Sequence, residues 1–393
     1  MPHQLINLSP DLKRLWDEGL EIEIKDGHLL VHHVPYLNST REINYGTLVS
    51  TLNLAGDKTI SPETHVVYFI GDHPCNKDGS IIKQIQHSSV LQNLSNNIIV
   101  NHSFSNKPQN GYNDYYEKMM MYIEIISAPA KSIDNSVTER TFNVIEPDDS
   151  ESVFNYIDTN STRAEINTVS QKLENQKVVI IGLGGTGSYI LDLIAKNPVK
   201  EIHLYDGDTF QQHNAFRSPG APSVEKLKER INKTDYFKEI YSKMHRNVIS
   251  HNKYINFSNI EELSGMDFIF LCLDKGEPKK IIVDYLEKND IQFIDVGMGL
   301  QKVDDQLIGI VRITSSTKVK RDHIKSKGRI SFSDDSDNEY SKNIQIADLN
   351  ALNAALAIIK WKKLYGFYQD LEKENFTAYS INVSQLLNED NDS

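Results

Sequence analysis

The run Val178-Val179-Ile180-Ile181-Gly182-Leu183-Gly184-Gly185-Thr186-Gly187-Ser188 places glycines between an apolar strand and a helical stretch. Unpaired N–H groups at a helix start, together with the helix dipole, attract a phosphate, and a Cβ there would hold the ligand off the backbone. The next strand ends in Asp206-Gly207-Asp208, whose carboxylates are placed to accept hydrogen bonds from a ribose. The chemistry these residues suit is nucleotide binding. Gly182-x-Gly184-x-x-Gly187 with an acid about twenty residues on also satisfies the dinucleotide fingerprint. On these residues a NAD-dependent dehydrogenase and a nucleotidyl transferase fit equally.

Further along stand Asn214-x-x-Arg217, Lys233, and the Asp274 that closes Phe270-Leu271-Cys272-Leu273-Asp274. Together with G-x-G-G-x-G-S and D-x-D, this ordered set resembles the ThiF/MoeB/HesA superfamily, the adenylating core of ubiquitin-activating enzymes, over residues 163–367. The resemblance implies attack of a carboxylate on the α-phosphate of ATP, giving an acyl-adenylate and pyrophosphate. Two anions approach and a third leaves, so such a site needs positive charge and a metal more than a strong base. It implies that Gly182, Gly184 and Gly185 line the nucleotide, that Asp208 holds the ribose hydroxyls, and that Asn214 and Arg217 contact phosphate oxygens. Lys233 would be the second phosphate cation, chosen for its distance ahead of His245-Arg246-Asn247. Lys226, Lys228 and Lys238 remain alternatives, and otherwise form a solvated helix face. Asp274, at the carboxyl end of a strand, would hold magnesium. Arg163 either matches an arginine lent to a partner subunit's ATP, which implies a homodimer, or forms a surface ion pair.

Members of the superfamily that transfer the acyl group carry a cysteine beyond the magnesium aspartate, and many carry paired C-x-x-C zinc motifs. This chain has only Cys75 and Cys272, so no zinc is expected and Cys272 reads as a small buried hydrophobe. The acyl-adenylate then has three fates. Direct transfer to another protein is the favoured one. Cys75, in Asp72-His73-Pro74-Cys75, is a candidate thiol acceptor. The Ser-rich segment 326–341 offers a hydroxyl, giving an oxyester. His73-Pro74-Cys75 also resembles, over three residues only, the His-Pro-Asn of ubiquitin-conjugating enzymes. His28, His32, His33, His65 and His73 read as ordinary histidines rather than metal ligands.

The elements that must position these residues fall into two parts. Residues 1–145 read as a smaller mixed α/β domain for docking or partner binding. It has a helix over 10–20, a hairpin of strands 20–24 and 28–34 about Asp26-Gly27, a strand at 65–70, and a stretch, 112–126, that fits helix or strand. It resembles an uncharacterised domain that precedes ThiF-like domains in bacterial operons encoding ubiquitin-like proteins. The acidic stretch 146–162 reads as a linker. Residues 163–388 read as α/β: a Rossmann-like, doubly wound, mostly parallel sheet, with helices at 163–176, 188–197 and 344–368. Its strands are expected at 178–181, 201–205, 254–257, 267–273, 292–296 and 308–313. A polar loop is expected over 321–341, and a frayed tail over 389–393.

Composition narrows the class. In 393 residues, 42 Lys+Arg against 54 Asp+Glu leave a formal charge of −12, which argues against a nucleic-acid partner. With 39% hydrophobic and 24% charged residues the chain reads as globular. No apolar run approaches the about 20 residues of a membrane helix, and the start lacks a signal-peptide layout, so a cytoplasmic location is expected. The function implied is ATP- and magnesium-dependent adenylation of the C-terminal carboxylate of a ubiquitin-like protein, the first step of a bacterial conjugation pathway. A ubiquitin-conjugating-enzyme-like protein is a candidate further partner. Alternatives are a sulfur-carrier-protein adenylyltransferase and a nucleotide-binding protein without turnover, with the dehydrogenase third.

Overall fold

The computed structural model describes residues 2–392 except 57, 96–97, 144–151, 157, 159, 162–163, 165, 275 and 333–343. Contacts divide the chain into two units, Met1–Ile145 and Glu146–Ser393.

In the first unit Asp26 (φ 47°) and Gly27 (φ 72°) take the left-handed backbone that a tight hairpin turn requires. Strand β1 (Ile22–Lys25) therefore pairs antiparallel with β2 (His28–Leu37), Lys25 opposite His28. Strands β3 (Ile43–Thr51), β4 (Val66–Ile70), β5 (Gln86–Ser88) and β6 (His102–Ser105) extend an antiparallel sheet in the order β1-β2-β3-β4-β6-β5. Helix α1 (Pro10–Asp17) and helix α2 (Tyr115–Lys131) accompany it, and α2 packs on β2 and β3. The stretch 112–126 is thus helical from Tyr115, where Asp114 accepts a hydrogen bond from the Glu117 N–H (2.8 Å) as an N-cap.

The second unit is doubly wound. Strands β7 (Lys177–Ile181), β8 (Glu201–Tyr205), β9 (Val248–His251), β10 (Phe268–Leu271), β11 (Gln292–Val303), β12 (Gln306–Ser316), β13 (Phe376–Ser380) and β14 (Gln385–Glu389) form one sheet in the order β9-β8-β7-β10-β11-β12-β13-β14. The strands from β9 to β11 are parallel, and those from β12 on are antiparallel. Both faces of β7 and β10 are apolar because helices cover both. Val178, Ile180, Phe268 and Phe270 pack toward helices α3 (Gly185–Ile194) and α7 (Ala347–Leu364), where Trp361 is fully buried. Val179, Ile181, Ile269 and Leu271 pack toward helix α5 (Gly276–Lys288) and Ile324 of helix α6 (Asp322–Ser326). Helix α4 (Lys233–Tyr241) lies between β8 and β9 in the chain. No described helix is long and apolar enough to cross a membrane.

Several sequence expectations are corrected. The stretch 254–257 is not a strand. Register pairs Tyr205 with His251, so the chain has passed the carboxyl edge of the sheet before residue 254, and Phe257 is 85% exposed. The helix expected over 163–176 is Asn167–Ser170 followed by a tighter turn, Gln171–Leu173. Arg163 lies outside the described residues, as does 333–343 of the Ser-rich segment. The expected loop opens as α6, with His323 and Ile324 buried. The tail from 389 does not fray up to residue 392: β14 ends at Glu389, and the buried Asp390 carboxylate pairs with Arg329 (2.7 Å) and Lys327.

Candidate active site

Parallel strands end together, and here the chain leaves β7 toward β8 on one side and returns to β10 on the other. The crevice at such a switch point is where ligands of open α/β sheets bind. It holds a cavity of about 450 Å³. Its walls come from the ends of β7, β8, β10 and β11 and the first turns of α3, α5 and α7.

The glycine loop is built from the inside. Gly182 has φ +92°, and a Cβ there would meet the Cys272 carbonyl at 2.5 Å. A Cβ on Gly187 would sit 1.9 Å from the Gly182 carbonyl, and one on Gly185 would sit 1.9 Å from Asn350 Nδ2. Gly184 differs, because a Cβ there would meet nothing within 4 Å. Its Cα face is open space toward the cavity, the gap a phosphate needs. Gly184 also caps the 10-residue helix α3, whose free N–H groups add the dipole's positive end.

The two aspartates divide their work, which corrects the expectation that both accept from a ribose. Asp206 is buried and spends its oxygens on the backbone, accepting from Leu183 N–H (2.7 Å) and Asp208 N–H (2.8 Å). It ties the glycine loop to β8. The Asp208 side chain is 54% exposed at the cavity wall and is held by Lys233 Nζ (2.7 Å) on Oδ2 and by the Tyr254 hydroxyl on Oδ1. That bond to a carboxylate, helped by burial, pushes the Tyr254 phenol up to about 12. Lys233 begins α4, is buried, and also approaches Asp206 at 3.5 Å. Of the four candidate lysines it is the one on the wall; Lys226 instead pairs with Glu229 and Glu239.

Arg217 lines the cavity, and its Nε is a buried donor with no hydrogen-bond partner among the described residues. Its carbonyl accepts from Asn350 Nδ2 (3.2 Å), while Asn350 Oδ1 accepts from Thr186 (3.0 Å). Asn350 therefore bridges the glycine loop to the arginine turn. Asn214 is not on the wall. It is 3% exposed, and its Oδ1 accepts from Gln211 N–H (2.9 Å) to close that turn. That bond uses only the acceptor oxygen; its Nδ2, the atom a phosphate contact would need, is a buried donor with no hydrogen-bond partner among the described residues. Asp274 lies on the wall beside Glu277, and Gln345 donates to it at 3.4 Å. Magnesium bound through phosphates needs one or two carboxylates, and these two residues fit that requirement.

The cysteines are poorly placed as acceptors. Cys75 is 1% exposed in the first unit, its thiol donates to the His73 carbonyl (3.2 Å), and burial with Asp78 nearby raises its pKa. A buried, protonated thiol is a poor nucleophile, which corrects its candidacy. Cys272 lines the cavity, and burial raises its thiol as well. Sequence reasoning missed Tyr254, Gln345, Asn350 and Asn353. The two asparagines, three apart in an apolar helix, carried a readable signal; Tyr254 was hidden by the misassigned strand.

This crevice, with a phosphate-shaped glycine loop at one strand end and a cation cluster around it, defines a nucleotide-binding α/β domain. The chain belongs to the ThiF family, which it matches over residues 128–359. Residues 10–159 match a domain of unknown function, DUF6791. Among curated proteins, the tRNA threonylcarbamoyladenosine dehydratase of Haemophilus influenzae is 25% identical over 149 residues, covering 37% of this chain and 56% of that protein. The Bacillus subtilis protein of the same name is 24% identical, covering 42% and 70%. The chain thus spans about half to two thirds of these relatives. Among solved structures, E. coli MccB with ATP is 20% identical with a TM-score of 0.44, over 56% of this chain and 66% of that one. PaaA is 16% identical with a TM-score of 0.46, over 70% and 86%.

Proposed function

We propose that this chain adenylates the C-terminal carboxylate of a protein substrate with ATP, and that the substrate is a ubiquitin-like protein with an extended tail. The observation that carries the reading is convergence: Gly184, Asp208, Arg217, Lys233 and Asp274, drawn from ninety residues of sequence, line one cavity. A dinucleotide site needs the glycines and the acid but not the arginine, lysine and second aspartate beyond them.

In this reading Asp208 orients the ribose and Gly184 with the α3 N-terminus receives the phosphates. Arg217 and Lys233 stabilise the negative charge that grows on the α-phosphate as the carboxylate oxygen attacks and pyrophosphate leaves. No base is required, because the nucleophile is already a carboxylate. Asp274 and Glu277 would hold magnesium, which neutralises phosphate charge when bound. The product leaves by direct transfer to a second protein, since neither thiol is disposed to capture it. A homodimer and a ubiquitin-conjugating-enzyme-like acceptor belong to the same proposal.

The relatives' name favours a second reading, ATP-dependent dehydration of threonylcarbamoyladenosine in tRNA. The formal charge of −12 opposes a large polyanion as substrate. ATP–pyrophosphate exchange stimulated by an added ubiquitin-like protein tests the first reading. Asp274→Ala and Arg217→Ala are expected to abolish exchange, and Cys75→Ala to leave it near normal. Tight NADH binding without ATP binding would overturn the assignment.

A further inference from the structure

We infer that Arg312, held behind Gly297, is the residue that recognises the carboxylate of the acyl substrate. Arg312 lies on β12 directly across from Gly297 on β11, and Thr314 lies across from Asp295. Asp295 is completely buried and holds two cations, Lys279 Nζ at 2.7 Å and Arg312 Nη1 at 3.0 Å; Nη1 also donates to Thr314 (3.2 Å). Two positive charges against one negative leave this cluster at +1.

None of Asp295, Lys279 and Arg312 is itself on the cavity wall; the cluster abuts the cavity through Gly297, a residue that has no side chain. Gly297 lies on the cavity wall, and a Cβ there would sit 2.8 Å from Arg312 Nε and 2.9 Å from Nη2. The guanidinium thus covers the Gly297 backbone, where any other residue would displace it. Gly297 is pinned from the opposite side by Asn353 Nδ2, which donates to its carbonyl (3.1 Å). Nε and Nη2 of Arg312 make no hydrogen bond among the described residues. Buried ion clusters are seldom worth their desolvation as stability devices, since apolar residues of equal volume do as well or better. A cluster with uncompensated positive charge beside a ligand cavity is better explained by an anion.

Sheet order says which anion. The nucleoside acceptor Asp208 follows β8, the phosphate loop follows β7, and Asp274 follows β10. Gly297 is on β11, three strand spacings from β8, or about 14 Å. A nucleotide laid from β8 across β7 and β10 leaves the β11 end for the group that attacks the phosphate. That group is a carboxylate in the reading proposed above, on which this inference rests.

The test uses the full chain saturated with α,β-methylene-ATP and two six-residue peptides ending in Gly-Gly, one a free acid and one a C-terminal amide. Wild type is expected to bind the acid at least ten-fold tighter than the amide by calorimetry. Arg312→Met, which leaves Asp295 paired with Lys279, is expected to erase that preference by weakening the acid alone. Arg312→Lys is expected to restore part of it, an outcome mere structural damage would not give. A wild type that treats acid and amide alike, or an Arg312→Met protein that keeps the preference, overturns the inference. So does an Arg312→Met protein whose sole loss is competition by inorganic pyrophosphate, since the anion is then the leaving group. A wild type that fails to bind the ATP analogue overturns the nucleotide reading itself, a separate result.

Discussion

Gly184 and Gly185 are neighbours with opposite reasons for lacking a side chain, and the difference is measurable. A methyl on Gly185 collides with Asn350, and through it disturbs Thr186 and the Arg217 turn. A methyl on Gly184 meets no protein atom and protrudes into the space left for a ligand. Gly184→Ala is expected to melt within about 2 °C of wild type yet bind ATP at least ten-fold more weakly. Gly185→Ala is expected to lose both stability and binding. Thermal melts with and without ATP separate the two, and equal behaviour would refute the distinction. At this scale much was legible, because a glycine loop and D-x-D are local patterns. What was not legible was the division of labour between Asp206 and Asp208, which depends on which carboxylate faces inward. Nor was the bridge from Thr186 to Asn350, 164 residues apart in sequence.

Among elements, α2 has the least expected content. It turns Lys118 inward with no exposed surface, where among the described residues Nζ donates to Ser50 Oγ on β3 (2.9 Å), and burial pulls its pKa down to about 8. The unfolded lysine titrates near its ordinary 10.5, so between about 8 and 10.5 the unfolded chain binds more protons. Stability of the first unit should therefore rise with pH across that window and lie flat and lower beneath it. Lys118→Met is expected to stabilise at pH 7 by up to about 3 kcal/mol and to flatten the rise. Urea unfolding of both proteins at pH 7 and pH 10 checks this; parallel pH profiles would rule it out. The helix itself was undecidable from sequence, since Tyr and Met suit either geometry and the Asp114 cap is the tie-breaker. Strands β7, β8, β10, β11 and β12 announced themselves as apolar runs, whereas β9 (Val248–His251) was masked by its polar half. Strand β13 and the edge strand β14 have too little apolar content to stand out.

For the whole molecule, net charge favours the protein-tail reading over the tRNA reading that the relatives' name suggests. A chain at −12 repels a polyanion at long range, and the repulsion is strongest at low salt. Total tRNA added at 50 mM salt is expected to cause no mobility shift. A shift that weakens steeply with added salt would favour the tRNA reading over a protein tail. Charge was legible from the first, and so was a boundary near residue 146; the eight-stranded order of the sheet was not, because strand order follows from pairing rather than from any single segment.

The Tyr254 and Lys233 donors on Asp208 have a kinetic meaning. Each carboxylate oxygen already accepts a hydrogen bond and carries a second lone pair, so in the proposed reading a sugar hydroxyl either shares an oxygen with its present donor or displaces that donor. A vicinal diol brings two donors and can take both places. In the proposed reading, displacement would turn the Lys233 ammonium from Asp208 toward the triphosphate, with Asp206 at 3.5 Å as its remaining carboxylate neighbour. If the chain binds ATP as proposed, recognition of the sugar would arm the electrostatics of the next step, the lysine's charge staying paired until there is a phosphate for it to hold.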